Sequence, residues 1–170
     1  MQDRAFVAKN NVTEEFLRDI RLIQSTRFSR SLLQQALSKP LKQIFVIMKF
    51  GDRHLDSAYK GVIKGVGKSF GFEVVRIDEI EDSGNISAQV LENIAQSKIV
   101  IAELTGERPN CYYECGYAHA LGREIIFVIR KGESIHFDLS NHRFIQWDTE
   151  DELRRKLRRR LDALESREEE

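Results

Sequence analysis

Residues 98–130 read KIVIAELTGERPNCYYECGYAHALGREIIFVIR, and this stretch decides the fold. Lys98–Leu104 (KIVIAEL) and Glu124–Arg130 (EIIFVIR) are short, continuous apolar runs without alternation, the pattern of strands buried on both faces. Between them Asn110–Leu121 reads as a helix, entered after Pro109 and closed by Gly122. Two strands joined through one helix by such short connections form a parallel pair with a crossover.

The same alternation continues on both sides. Gln43–Lys49 (QIFVIMK) is another doubly buried strand, and Phe72–Ile77 (FEVVRI) follows the helix stop at Gly71. Leu55–Phe70 between them has apolar residues at 55, 58, 59, 62, 63, 66 and 70, a helical stripe that Gly61, Gly65 and Gly67 weaken. Ile86, Val90, Leu91 and Ile94 mark a further helix. A loop around His136-Phe137-Asp138 leads to a fifth strand, Arg143–Trp147. The pattern predicts an α/β fold, an open, doubly wound, mainly parallel five-stranded sheet in an order like that of flavodoxin.

This α/β domain is expected over residues 41–148. Residues 1–40 carry Phe16, Ile20 and Ile23 after Thr13-Glu14-Glu15, then Leu32, Leu33, Ala36 and Leu37 before Pro40. They predict an N-terminal helical arm that packs on the sheet domain or on another subunit. Residues 149–170 predict a C-terminal amphipathic helix, with Leu153, Leu157, Leu161 and Leu164 in a stripe, ending in the acidic tail Glu168–Glu170. That stripe favours an ordinary amphipathic helix, at a subunit interface, over a phosphate- or lipid-binding role for the Arg154–Arg160 run.

Composition narrows the function classes. The chain has 170 residues, 27 Lys+Arg against 27 Asp+Glu, 41% apolar residues, and only ten Gly and two Pro, so it suits one sizeable core rather than disorder. Zero net charge removes the electrostatic case for bulk nucleic-acid binding. The longest apolar runs, Ile44–Met48 and Ile125–Ile129, are far short of the ~20 residues that span a bilayer. Met1-Gln2-Asp3-Arg4 lacks the apolar stretch of a secretory signal, and two Cys make no disulfide framework. The expectation is a soluble cytoplasmic protein without membrane partners.

In doubly wound sheets ligands bind at the carboxyl ends of the strands, where the winding reverses. That rule selects Lys49–Arg53, Arg76–Asn85, Leu104–Asn110 and Lys131–Arg143. Asn110 reads as the N-cap of its helix, which puts Glu114 within about the first turn, ionised and stabilised by the helix dipole. Such a carboxylate suits a nucleophile or the electrostatic partner of a cation; the alternative is a residue that merely complements a helix start. Lys49 and Arg53 flank Gly51 where a phosphate could meet cations and backbone N–H groups, and Arg76 and Ser83-Gly84 lie on the neighbouring loop. Phe50 and Tyr112 could stack on a base or pack on the adjacent helix. Cys111, Cys115 and His119 share one helical face but lack a fourth zinc ligand, so buried packing is the reading and no metal is expected.

Arg108-Pro-Asn-Cys-Tyr-Tyr-Glu-Cys-Gly-Tyr-Ala-His-Ala-Leu-Gly122 resembles the Asn-Pro-Asn-x-x-x-Glu-x-Gly-Tyr-Ala-His-Ala-Leu-Gly signature of nucleoside 2-deoxyribosyltransferase-like proteins, cousins of Toll/interleukin-1-receptor (TIR) domains. Phe45–Gly51, Arg76–Ile80, Ser83-Gly84 and Ile101–Gly106 are similar to the same group, and the resemblance covers residues 43–148. It implies a flavodoxin/TIR-like fold and N-glycosidic bond chemistry on a nucleoside, nucleotide or NAD-type substrate, by hydrolysis or base exchange. The family's catalytic Glu falls on Glu114, where a fixed carboxylate would trap or stabilise an oxocarbenium-like sugar. A purine leaving group would also need a proton donor, for which Asp78 is the candidate; NAD would not, since its nicotinamide leaves uncharged. Arg143 matches an Arg of the family pattern and could pair with a carboxylate or phosphate. Glu103 stands where the family has Asp, and Glu107 occupies the loop that holds a further acid in the transferases. The expected partners are a small nucleoside or nucleotide and a second copy of the chain, with no cofactor required beyond NAD as a possible substrate. The alternative is a non-catalytic nucleotide-binding TIR-like signalling or defence module that oligomerises.

Overall fold

The computed structural model describes residues 39–80 and 85–167. The predicted helical arm, Ser83-Gly84 and the acidic tail lie outside the described residues. Within them the order is β1 (Leu41–Ile47), α1 (Arg53–Ala58), a π-helical turn (Tyr59–Ile63), α2 (Lys64–Ser69), β2 (Glu73–Val75), a 3-10 turn (Ile77–Glu79), α3 (Ile86–Gln96), β3 (Ser97–Glu103), α4 (Pro109–Ala120), β4 (Glu124–Arg130), a 3-10 turn (Phe137–Leu139), β5 (Phe144–Trp147) and α5 (Glu150–Ser166). The five strands are all parallel, in the order β2-β1-β3-β4-β5. This is the flavodoxin-like doubly wound sheet that the strand pattern predicts.

Strand alternation divides the core into two layers. Ile44, Val46, Ile99, Ile101, Ile126, Val128, Ile145 and Trp147 face α1, the π turn, α2 and α5. Phe45, Ile47, Val100, Ala102 and Phe127 face α3 and α4, meeting Val90, Ile94, Cys111, Cys115 and Ala118. Leu153, Leu157 and Leu161 of α5 are fully buried, each contributing about 1.5–3 kcal/mol of apolar transfer. Thr149 caps that helix through Glu152 N–H. The predicted helix over 55–70 is interrupted by the π turn. Gly67 has a packing role there: a Cβ at 67 would stand 2.4 Å from Val74 Cγ2 and 3.1 Å from Ile44 Cδ1, so only Gly lets α2 approach the sheet this closely.

The crossovers set the positions of the loops. α1 and α2 cover one face, α3 and α4 the other, so the winding reverses between β1 and β3. β4 and β5 are joined by residues 131–143, which hold a single short 3-10 turn in place of a crossover helix. The flank of α4 toward the β5 edge therefore faces a loop. No helix among the described residues is long and apolar enough to cross a membrane.

Candidate functional site

A cavity of about 270 Å³ opens at the reversal point, beyond the carboxyl end of β1. Its floor is the end of β1 with Met48, Phe50 and Ile77; its sides are Ile86, Ser87, Val90 and Leu91 of α3 and Asn110, Tyr113 and Glu114 of α4. Glu114 supplies the sole carboxyl among these lining residues, and it makes no ion pair among the described residues. The Asn110 side chain, one turn earlier, hydrogen-bonds to it. Burial pushes the Glu114 carboxyl up to about 7, the Asn110 bond pulling the other way.

That value corrects one expectation. Arg108, not Asn110, is the N-cap, and Pro109 begins the helix, so Glu114 lies in the second turn. The dipole's influence falls off after the first turn, and desolvation against an apolar wall outweighs it. Glu114 is thus close to half ionised at neutral pH instead of firmly anionic.

A second, shallower depression of about 270 Å³ adjoins the first, sharing Met48, Phe50 and Asn110 and adding Lys49 and Arg108. Phe50 is 47% exposed on the rim between the two. Lys49 lies 3.4 Å from Asp52, and Asp52 caps α1 by accepting from the N–H groups of His54 and Leu55. Those backbone bonds hold the Asp52 carboxyl below the usual range. The anion position expected for a phosphate at the start of α1 is therefore occupied by the chain's own carboxylate. Gly51 takes a left-handed φ of 75° and turns the chain into that cap.

Arg76 and Asp78 are placed differently from the sequence expectation. Arg76 is only 3% exposed, its Nε and Nη2 donating to the two Asp78 oxygens at 2.5 and 2.6 Å and its Nη1 to Asp56 at 2.7 Å. The guanidinium also lies over the rings of Tyr59 and Phe50, at 4.3 and 5.6 Å. Burial disfavours its charge, but the two aspartates outweigh that. Arg76 is a buried structural hub whose three nitrogens are each already engaged with a carboxylate of the chain. Asp78 has both carboxyl oxygens engaged by that guanidinium. It does not line the Glu114 cavity.

Two further expectations separate from the site. Tyr112 lies on the opposite flank of α4, beside His136, while Tyr113 lines the Glu114 cavity. Arg143 is exposed just before β5 and does not line the cavity. Cys111 and Cys115 are buried in the α4–sheet layer, where burial pushes both thiols up to about 12. No cluster of three or more His, Cys, Asp or Glu among the described residues could hold a metal ion.

Tyr113 and Arg108 are the site residues that sequence reading passed over. The signal for Tyr113 was its adjacency to Glu114 on a helix whose Asn110–Glu114 flank faces the cavity. The signal for Arg108 was its place at the helix entrance, within reach of the β1 loop.

No protein-family model and no curated protein matches this chain. Solved structures do. A CMP N-glycosidase from Clostridium botulinum is similar at 19% identity and a TM-score of 0.56, over 68% of this chain and 96% of that one. A 2-deoxyribosyltransferase from Bacillus psychrosaccharolyticus is similar at 16% identity and a TM-score of 0.52, over 66% of this chain and 90% of that one. This likeness establishes a shared fold.

Proposed function

We propose that the chain cleaves the N-glycosidic bond of a nucleoside, nucleotide or NAD-type substrate, by hydrolysis or base exchange, with Glu114 as nucleophile or stabiliser of the oxocarbenium-like sugar. One observation carries the reading: a half-buried carboxyl without an ion pair lines an apolar cavity at the reversal point of a doubly wound sheet. The ribose would face Glu114, and the base would rest on Met48 and Phe50. Lys49 and Arg108, in the adjoining depression, suit a phosphate on the ribose. The fold's likeness to a CMP N-glycosidase and a 2-deoxyribosyltransferase supports the same chemistry.

In the proposed step the Glu114 carboxylate approaches C1′ as the bond to the base nitrogen breaks, and that bond's electron pair leaves with the base. Water or a second base then takes C1′, releasing the carboxylate. Among the described lining residues there is no second acid, since Asp78 is bound to Arg76. That favours a base that departs without enzyme-supplied protonation, as nicotinamide does from NAD.

The same observation supports a second reading, a nucleotide-binding module without turnover that changes its assembly state. Base release from NAD and from a panel of nucleosides and nucleotides, measured beside Glu114→Gln, separates the two. Release that drops by about a thousandfold or more in Glu114→Gln supports the enzyme. Release unchanged in Glu114→Gln overturns the role of Glu114. Tight nucleotide binding with no release, accompanied by a change in molecular mass, favours the module.

A further inference from the structure

A cavity of about 550 Å³, larger than the one of about 270 Å³ at Glu114, is separate from it. It lies on the other flank of α4, under the 131–143 connection, and shares no lining residue with the Glu114 cavity. Its origin is topological. A parallel β4–β5 pair would ordinarily carry a crossover helix packed beside α4, and here the connection is a loop with one 3-10 turn. The space that helix would fill stays open.

The side chains around that space are not those of a plain packing defect. Tyr112 and His136 form one wall, their ring centroids 5.5 Å apart and inclined by 56°. Phe127, from the middle of β4, contributes to the floor and is itself stacked on Phe144 at 5.2 Å. Gly116 leaves the surface of α4 bare, with open space where a side chain would begin. Two carboxylates, Glu107 and Asp138, stand at the edge, and no Lys or Arg lines the cavity. Glu107 is the only non-Gly residue among those described with a positive φ, 43°, a conformation disfavoured for a side chain of this kind.

We propose that this cavity is a second binding site, separate from Glu114, for a planar heteroaromatic ring of nucleobase size that is neutral or cationic. Aromatic walls supply stacking surface for such a ring. The carboxylates select ring N–H, amino or pyridinium groups, and the lack of Lys and Arg in the lining selects against phosphates and carboxylates. The site does not rest on the reading of Glu114.

The test uses the whole chain and ligand-observed NMR or calorimetry with adenine, cytosine, nicotinamide, the cation 1-methylnicotinamide and, as an anionic control, nicotinate. At least one neutral or cationic probe is expected to bind. Gly116→Leu, which fills the open space, and His136→Ala, which removes a half-exposed wall, should each weaken it at least tenfold. Glu114→Gln should leave it within about twofold. Circular dichroism and the Tm establish that Gly116→Leu is folded; if it is not, His136→Ala alone decides. The proposal is overturned if no probe binds, if nicotinate binds as well as nicotinamide, if binding survives the wall variants, or if Glu114→Gln removes it. A change of oligomeric mass in Gly116→Leu or His136→Ala, with no probe bound by the native chain, would assign the cavity to a protein interface instead.

Discussion

The Asn110 side chain hydrogen-bonds the Glu114 carboxyl from one turn earlier on α4, with an apolar cavity in front of both. This donor is the chief local force that opposes desolvation of the Glu114 charge. Glu114 must be ionised to act as proposed, so base release should rise with pH through an acid limb near 7. In Asn110→Ala the limb should move upward by about half to one pH unit, the equivalent of one lost hydrogen bond of about 0.5–1.5 kcal/mol. A pH–rate profile measures it, and carbon NMR titration of the Glu114 carboxyl gives the same shift without substrate. A limb that stays in place would mean that Asn110 does not act on the charge.

Glu103, at the end of β3, is 1% exposed and has no cationic partner among the described residues. It accepts from Thr105 Oγ1 at 2.5 Å, Thr105 N–H at 3.2 Å and Trp147 Nε1 at 3.4 Å. Thr105 Oγ1 in turn accepts from Arg130 N–H at 3.0 Å, so the carboxyl ties the loop leading to α4 to the ends of β4 and β5. Burial pushes Glu103 up to about 7 despite those bonds, and Asp52 adds a like charge. The folded state therefore binds more protons than the unfolded chain between about pH 4.5 and 7. Stability should be greatest at the lower end of that window and should fall as pH rises through 7, Glu114 contributing in the same direction. Denaturant unfolding should give a native chain less stable at pH 8 than at pH 5 by about 1–3 kcal/mol, and Glu103→Gln should remove about half of that difference, Glu114 accounting for the rest. Glu152 and Glu79 are lowered by their lysine partners and lose their contribution only at more acid pH.

The fold was legible because its strands are continuous apolar runs that nothing else explains, and the predicted Glu124–Arg130 strand matches the observed bounds residue for residue. The helix over 55–70 was legible as a helix, but its π turn was not, since the apolar stripe changes little when one turn widens. At the site, Glu114, Asn110 and Phe50 do share a cavity. Arg76 was misjudged because its partners come from separate places, Asp56 on α1 and Asp78 beyond β2, and only the folded chain brings them together. Tyr112 was chosen over Tyr113 because helical spacing ranks residues around an axis without saying which flank a neighbour covers. That is decided by α3 on one side and a helix-free connection on the other.

The Arg76 hub separates a structural role from a catalytic one. Arg76→Met would leave Asp56 and Asp78 without their common cation and remove the guanidinium from between Tyr59 and Phe50. Both aspartates are partly exposed and can recover hydration, so the expected loss is about 2–4 kcal/mol, less than for a fully buried triad. Asp78→Asn should cost stability as well, yet leave any base release within a few fold at a temperature where the chain is folded. A loss of a hundredfold or more in Asp78→Asn, with an unchanged melting curve, would restore Asp78 as the proton donor.

Gly67 tests the packing that brings α2 onto the sheet. In an exposed helix, Gly→Ala gains about 0.5–1 kcal/mol through reduced freedom of the unfolded chain. At residue 67 the new methyl would enter the space held by Val74 Cγ2, 2.4 Å away, in a layer that also contains fully buried Ile44 and Ile63. Val74 is pinned within β2, whose ladder with β1 fixes Ile44 opposite it, so neither neighbour can yield without moving a strand. Overpacking of this kind costs about 1–3 kcal/mol and outweighs the helix gain. Gly67→Ala should therefore lower the Tm, whereas Gly65→Ala on the same helix, with open space at its Cβ, should raise it or leave it unchanged. Because β2 and the 3-10 turn after it carry Arg76 and Ile77, the displacement should also reach the floor of the Glu114 cavity, and differential binding of nucleotides to the two variants would register it.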